Sequence, residues 1–191
     1  MYLQIELIQL ISEYCNLKII KKLLFLNKNI NNYIKIKYIN KKNNLDNNIL
    51  KTKYFSKLVS LNITKNKKIS DINHLSELKE LYINNSKLSN IKNLTKLEKL
   101  VMNIAMIDDI SYLTNLLHLE LTNDKINQIS NLTKLTELSL YKSYNFNQNQ
   151  FINLTNIQKL NIQNYDKLIN LNHMKNMTNL NISIQSLIII V

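Results

Sequence analysis

Residues 78–96 read LKELYINNSKLSNIKNLTK, residues 97–115 read LEKLVMNIAMIDDISYLTN, and residues 116–134 read LLHLELTNDKINQISNLTK. The three segments are near-copies of one 19-residue unit, in which the apolar residues are spaced by three, two, five, three and three residues. Only the two-residue step has the period of a strand, and no helix has this spacing. Self-similarity at a short fixed period indicates a solenoid, in which successive copies stack and bury one continuous core.

The unit resembles the leucine-rich repeat, LxxLxLxxNxIxxIxxL, in its internalin-like or protein-phosphatase-regulator-like form. The resemblance implies an α/β solenoid: an arc with a parallel β-sheet on its concave side and short turns or 3₁₀ segments on its convex side. Residues 58–191 are assigned to about seven such repeats, whose length of 19 to 22 residues leaves too little chain for a full helix between strands. The repeats begin at Leu58, Leu78, Leu97, Leu116, Leu135, Ile157 and Met177.

Three details of the repeats lead to further expectations. The Asn that follows the strand in this family is present only as Asn66, so the ladder of bonds that it forms is expected to be irregular. Because the chain has no Gly, turns that need a left-handed residue are expected to use mainly Asn or Asp. The longest unit has an insertion around residues 145–150, which we expect to form an exposed loop on the convex side.

The first 36 residues contain apolar residues at the spacing of short helices, which predicts a small helical N-terminal module. Residues 3–7 (LQIEL) and 23–30 (LLFLNKNI) resemble parts of an F-box, although Gln4 and Cys15 replace the Pro and Leu of that family. The resemblance implies that residues 1–36 bind a Skp-type adaptor through Leu3, Ile5, Leu7, Leu10, Ile11 and Leu24. The alternative is a plain helical cap that closes the first edge of the solenoid.

Residues 37–57 are polar and rich in Asn and Lys, with Leu50, Tyr54 and Phe55 as the apolar exceptions. We interpret this stretch as a connector whose last turn packs on the first repeat. A degenerate repeat within the same stretch is the alternative interpretation.

The chain of 191 residues carries a net charge of +12, and all 25 basic residues are Lys. Residues 1–57 hold 11 Lys against Glu6, Glu13 and Asp46, which leaves +8 there and +4 in residues 58–191. Such an excess attracts phosphates, but without Arg the commonest bidentate contact to guanine is missing. We therefore expect any nucleic-acid binding to be weak and nonspecific.

The distribution of reactive residues disfavours an enzyme. His74, His118 and His173 lie far apart in the sequence, Cys15 is the single cysteine, and a chain without Gly has no phosphate-binding loop. We expect no catalytic residue, no bound metal and no cofactor. The sequence also lacks a membrane-spanning apolar run and a signal peptide, which predicts an intracellular and cytoplasmic protein.

The residues that alternate with the buried ones in each strand are the candidate binding residues, because stacked parallel strands place them in columns on the concave face. Tyr is enriched among residues that dominate binding energy. We predict that a protein target binds a concave surface formed by Tyr82, Asn84, Lys99, Val101, Asn103, His118, Glu120, Thr122, Tyr141 and Lys159. Glu80 and Lys99, in adjacent strands, are expected to form an ion pair.

These observations predict a protein–protein interaction module. With the F-box resemblance, the implied function is a substrate adaptor of a cullin–RING ubiquitin ligase, in which the N-terminal helices bind the Skp-type adaptor and the concave face binds the target. The alternative is an intracellular leucine-rich-repeat scaffold or regulator with no link to ubiquitin. A concave face that binds nothing is the simplest counter-hypothesis, since every parallel sheet has two faces.

Overall fold

The computed structural model describes residues 38–39, 45–84, 87–104, 106–122, 126, 128–142, 146–165 and 170–184. The predicted N-terminal module of residues 1–36 lies outside these ranges, and with it the candidate adaptor-binding residues Leu3, Ile5, Leu7, Leu10, Ile11 and Leu24. Among the helices in the described ranges, none has the length and apolar character needed to cross a membrane.

In the described residues, eight parallel strands form one sheet, in which they follow each other in chain order. Each strand pairs with the equivalent strand of the next coil, as Leu81 pairs with Leu100 and Leu100 with Leu119. This arrangement confirms the predicted leucine-rich-repeat solenoid. The strands are β1 (Tyr38–Ile39), β2 (Ser60–Asn62), β3 (Glu80–Asn84), β4 (Lys99–Asn103), β5 (His118–Thr122), β6 (Glu137–Tyr141), β7 (Lys159–Tyr165) and β8 (Asn179–Ile184).

The two leucine positions of each central strand point into the core. In β5, Leu119 and Leu121 are fully buried, whereas the residues on either side of them are half-buried. The pairing places Leu119 between Leu100 and Leu138 of the adjacent strands. Because each coil covers the apolar side chains of the one before it, the core is a continuous column of mainly Leu and Ile residues.

The three-residue spacing that follows each strand comes from consecutive tight turns. The N–H of Leu94 donates to the carbonyl of Ile91 at 3.0 Å, and the N–H of Leu97 donates to the carbonyl of Leu94 at 3.0 Å. Equivalent pairs of bonds recur in the coils that contain Leu75, Leu113 and Leu132. Each turn brings the next apolar side chain back to the core, so the convex side is built from short turns, as the unit length predicts.

At one repeat position near the end of the strand, the residue bends the chain away from the sheet in a left-handed conformation. Lys65, Ile104, Lys142 and Asn164 have φ values of 62°, 46°, 55° and 55°. The expectation that Asn or Asp would fill such positions is therefore wrong for the two Lys residues and for Ile104. The bend preserves the sheet bonds, because the N–H groups of Lys65 and Lys142 still donate to the next coil at 2.9 Å and 3.1 Å. The left-handed conformation costs an L-residue such as Ile104 about 1–2 kcal/mol.

Asn66 forms the bonds that the repeat pattern requires of this Asn. Its side chain is buried, and its Nδ2 donates to the carbonyl of Leu45 at 3.1 Å. Its Oδ1 accepts from the N–H groups of Lys68 at 2.8 Å and Ile69 at 3.2 Å. The irregularity expected in later coils lies outside the described residues, because they exclude Ser86, Ala105, Asp124, Ser143 and the side chain of Tyr165.

The stretch interpreted as a connector contributes a strand and two helical turns to the solenoid. β1 pairs with β2 in parallel, and α1 (Asn47–Leu50) and a 3₁₀ turn (Lys53–Phe55) follow it. The side chains of Leu45, Leu50 and Phe55 are buried in the common core. The division of the chain into a connector, or a degenerate repeat, before residue 58 stays a prediction.

The insertion in the longest unit forms a further helical turn, α2 (Gln148–Phe151). Phe146 and Phe151 are both fully buried, and their ring centroids lie 6.3 Å apart. The expected exposure is found at Asn147 and Asn149, whereas Phe146 is buried and the segment is helical from Gln148 onwards. Burial of two aromatic side chains holds the inserted residues against the core.

Two histidines connect these helical turns to the next coil. His74 Nε2 lies 3.1 Å from the carbonyl oxygen of Leu50 at the end of α1, and His173 Nε2 lies 2.7 Å from that of Phe151 at the end of α2. Both carbonyls are at helix ends, where backbone acceptors lack an intrahelical partner. The matching positions of the two histidines thus reflect the same structural role.

Candidate functional site

The concave face carries the side chains that alternate with the core residues of the strands, and the strand pairing aligns them in three columns. In β3 to β6 these side chains are half-buried. The first column contains Ser60, Glu80, Lys99, His118, Glu137, Lys159 and Asn179. The second contains Asn62, Tyr82, Val101, Glu120, Ser139, Asn161 and Asn181. The third contains Asn84, Asn103, Thr122, Tyr141, Gln163 and Ser183. Every predicted partner-binding residue lies in one of these columns, so the structure brings all of them to one face.

An ion-pair cluster crosses three strands in the first column. Glu137 accepts from Lys159 Nζ at 2.6 Å and contacts His118 Nδ1 at 2.8 Å. The hydrogen bond from Lys159, and then that from His118, holds the pKa of the Glu137 carboxyl below its ordinary value, so this group is ionised at neutral pH. Because the three side chains remain partly exposed, the cluster adds little to stability, but it satisfies its own charges.

Lys99 extends over the ring of Tyr82 instead of pairing with Glu80. Its Nζ lies 5.6 Å from the ring centroid, which is within the range of a cation–π contact. Glu80 accepts from the hydroxyl of Ser60 at 2.9 Å. The expected Glu80–Lys99 ion pair is therefore not among the ion pairs formed by the described residues.

The middle of the concave face combines an apolar, an acidic and an aromatic side chain. Val101 and Glu120 are neighbours in the second column, and Tyr141 lies one strand beyond Glu120 in the third. Tyr141 is held in place by Asn161, whose Nδ2 donates to its hydroxyl oxygen at 2.8 Å. Within the described part of the chain, the Glu120 carboxylate forms no hydrogen bond or ion pair, and the buried Oδ1 of Asn103 has no hydrogen-bond partner.

A cavity of 470 Å³ lies at the end of the concave face nearest β8. Of its lining residues, only Lys159 is among the predicted partner-binding residues, because most of the others are polar side chains that give no apolar or aromatic signal. Their columns, however, follow from the repeat register alone. The lining residues are Glu137, Ser139, Lys159, Leu160, Asn161, Thr178, Asn179, Leu180 and Asn181.

No protein-family model and no curated protein matches this chain. Among solved structures, the chain is similar to an internalin C2 (inlC2) from Listeria monocytogenes str. 4b F2365, with 22% identity and a TM-score of 0.47 over 70% of this chain and 66% of that one. It is also similar to an internalin (inlF) from the same strain, with 18% identity and a TM-score of 0.47 over 81% of this chain and 63% of that one. The chain thus spans just under two thirds of the length of both structures.

The arrangement on the concave face offers binding contacts. It presents an apolar side chain, two aromatic side chains, an unpaired carboxylate and a set of amides on a broad sheet surface. In the ranges that the structure describes, no three His, Cys, Asp or Glu side chains are grouped so that they could hold a metal ion. His118 contacts Glu137 through Nδ1, and His74 and His173 contact backbone carbonyls on the turn side.

Proposed function

We propose that the chain is a protein-binding module and that its concave face binds the partner. The observation that carries this proposal is Glu120, a half-buried carboxylate at the centre of the face with no hydrogen bond or ion pair in the described residues. In the neighbouring first column, the Glu137 carboxylate is already engaged by Lys159 and His118. An N–H or ammonium group of a partner would find Glu120 available as an acceptor, with hydrogen bonds to charged groups among the stronger ones.

The side chains around Glu120 support a protein partner. Val101 and Tyr82 supply apolar contact area on one side, and Tyr141 does so on the other. Aromatic anchors around a central polar contact are typical of binding hot spots. Adjacent strands lie about 4.8 Å apart, so the surface from β3 to β7 is about 20 Å wide, which suits a protein segment better than a small molecule.

The test is a triple variant, Tyr82→Ala with Glu120→Ala and Tyr141→Ala. We expect the melting temperature to change little, because none of the three residues is in the core and each substitution costs about 1 kcal/mol or less. We expect partner binding to weaken at least about tenfold, which corresponds to about 1.4 kcal/mol. The measurement is affinity purification of the full chain from a cognate lysate, with quantification of every captured protein and thermal melting of each variant.

The matched control substitutes Ala for three exposed residues at equivalent turn positions of successive coils, Thr95, Thr114 and Thr133. The partner is the protein that wild type and the control capture and the triple variant loses. If no captured protein distinguishes the triple variant from the control, the concave face is not the binding surface. An early melting transition in the triple variant would instead contradict the placement of these side chains outside the core.

More specifically, we propose that the chain is a substrate adaptor of a cullin–RING ubiquitin ligase. This proposal rests on the F-box resemblance of residues 1–36, which are outside the described residues. In this function, the N-terminal residues bind a Skp-type adaptor while the concave face binds the protein to be ubiquitinated. A leucine-rich-repeat scaffold or regulator that acts without a ligase is the competing function. The ligase adaptor is expected to associate with a Skp-type adaptor and the scaffold is not, and this association can be measured.

Leu7→Lys is expected to abolish that association, because it puts a charge on the apolar face that the F-box resemblance assigns to the adaptor. Gln9→Lys is the control, since it adds the same charge at a polar position of the same segment. The measurement is co-purification of the full chain with the adaptor from a cognate lysate. If wild type and Gln9→Lys do not recover the adaptor, the ligase function is excluded and the scaffold function stands.

A further inference from the structure

The third repeat presents apolar side chains at two surface positions that polar residues hold in other coils. Ile104 directly follows β4 and is 55% exposed, and Met106 is 63% exposed. The residues at the equivalent repeat position of three other coils are Lys65, Lys142 and Asn164. Met106 stands immediately before the buried Ile107. In the two preceding coils, the same position is held by Lys68 and Lys87. We give the name carboxyl rim to the described, exposed residues of the segments that follow the strands, which are Lys65, Lys67, Lys68, Lys87, Ile104, Met106 and Lys142.

Neither conformation nor burial favours Ile104 at its position. Its φ of 46° is in the left-handed region, where a β-branched residue is an outlier, whereas the equivalent Asn164 tolerates the same region. Its N–H donates to the carbonyl of Thr122 at 3.3 Å, so the coil imposes this bend on whichever residue stands there. A strained residue whose apolar side chain faces solvent points to a role outside the fold.

The described residues of the carboxyl rim other than Ile104 and Met106 are lysines. Its lysines are exposed, and no described residue forms an ion pair with them, in contrast to Lys79 and Lys96 before the strands, which pair with Glu98 and Glu77. Of the two acids that follow Met106, Asp109 is engaged with the N–H of Ser111 at 2.9 Å. The unpaired lysines of the carboxyl rim are Lys65, Lys67, Lys68, Lys87 and Lys142.

We propose that Ile104 and Met106 form an anchor site for an acidic protein segment, which inserts one aliphatic or aromatic side chain between them and places carboxylates near the flanking lysines. The inference rests on the proposed function, since the segment belongs to the partner that crosses the concave face. The two surfaces are continuous through β4, where Val101 and Asn103 lie on the concave face and Ile104 follows directly. Charge complementarity selects an acidic segment over a basic one.

A protein segment fits this patch better than an anionic membrane does. Membrane-surface binding depends on a large apolar face that enters the acyl region, and two side chains do not provide it. Protein interfaces, in contrast, concentrate their energy in a few anchors that are surrounded by weaker contacts. The exposed Asp108 and Asp109 next to Met106 also disfavour a flat anionic surface, whereas a peptide can direct its carboxylates towards the lysines.

The test uses a displayed library of short random peptides, selected on the wild-type full chain and counter-selected on the double variant Ile104→Asn with Met106→Lys. The variant introduces the residue types of the neighbouring coils. We expect the recovered peptides to combine Asp or Glu with one aliphatic or aromatic residue. A synthetic peptide of the enriched sequence should bind the double variant at least about tenfold more weakly than wild type in fluorescence anisotropy.

Ile152→Asn is the matched control, because Ile152 is also 55% exposed but follows α2 on the turn side. It should bind the peptide as wild type does. The single change Ile104→Asn should raise the melting temperature by about 2–4 °C, because Asn relieves the left-handed strain. Lost binding together with a higher melting temperature cannot come from unfolding. A lower melting temperature would show that Ile104 stabilises the fold, which overturns the proposal.

Other outcomes would also support or overturn the proposed anchor site. Recovered peptides without acidic residues, or equal binding to wild type and the double variant, overturn the proposal. Phosphatidylserine vesicles that bind wild type but not the double variant, with no peptide doing so, overturn it in favour of a membrane surface. If the captured partner is lost by the Tyr82, Glu120 and Tyr141 triple variant but kept by the double variant, the proposed function stands and the anchor site falls. If the partner is lost by both, both are supported.

Discussion

Leu119→Ala is expected to lower the free energy of unfolding by about 2–5 kcal/mol, through lost burial and the cavity that remains. Leu119 is fully buried, and the strand pairing places it between Leu100 and Leu138, so no side chain can move in from solvent to fill the gap. Solenoid coils contact only their neighbours, so a cavity in β5 weakens the interfaces on both of its sides. A loss of this size is a large fraction of the stability of an ordinary domain.

Leu117→Ala is the matched control for this prediction, because it removes the same atoms two residues earlier on a side chain that is 42% exposed. We expect it to cost about 1 kcal/mol or less. The measurement is urea unfolding of both variants and wild type, followed by circular dichroism. Equal losses for Leu117→Ala and Leu119→Ala would contradict the difference in burial between the two side chains that the structure shows.

Phe151→Ala is expected to lower the free energy of unfolding by about 3–5 kcal/mol. The ring is fully buried at the end of α2 and contacts that of Phe146, with a tilt of 56° between the two planes. Its removal also loosens the turn whose terminal carbonyl bonds His173 in the following coil. The substitution therefore destabilises two coils, and the interface between them is expected to unfold first.

Ile152→Ala is the control for Phe151→Ala, since Ile152 is the next residue and is largely exposed. Its effect should stay within about 0.5 kcal/mol. Hydrogen exchange of the two variants, compared with wild type, measures the effect locally. Loss of protection in β7 and β8 is expected for Phe151→Ala. If hydrogen-exchange protection in β7 and β8 is unchanged, the inserted residues do not stabilise this coil.

The repeat register was predictable from the sequence because one physical requirement repeats in every coil. The two-residue step of Leu119 and Leu121 specifies a strand with one buried face, and the three-residue steps that follow correspond to turns closed by bonds such as that from Leu97 to Leu94. A slip of one residue would expose every leucine of the strand. The burial of the core and the columns of the concave face follow from the same constraint.

Features that occur once per chain were less predictable. The insertion near residue 146 reads as polar because Asn and Gln outnumber its two Phe residues, yet those Phe residues decide its position. The bend at Ile104 is imposed by the coil, so composition rules for left-handed residues do not apply to it. The strand at residues 38–39 is too short to show a period.

For the candidate site, the sequence predicted positions but not partners. The columns place Glu80 beside Lys99, which made an ion pair the simplest expectation. The long Lys99 side chain can also reach Tyr82 two residues further along the neighbouring strand, and that contact is the one formed. Choices among several reachable neighbours depend on side-chain rotamers, which no repeat pattern encodes. The binding role of the concave residues stays a prediction.

The hydrogen bonds between neighbouring coils join residues at short and similar separations along the chain, from 17 residues between Asn73 and Asn90 to 24 between His74 and Leu50. Short separations keep the entropy of loop closure low and nearly equal for every coil. Assembly can therefore start at any coil and proceed by addition of neighbours in either direction. Duplication or deletion of one 19-residue unit would change only the interfaces at that point and leave the others as they are, so the length of the concave face can evolve in whole coils.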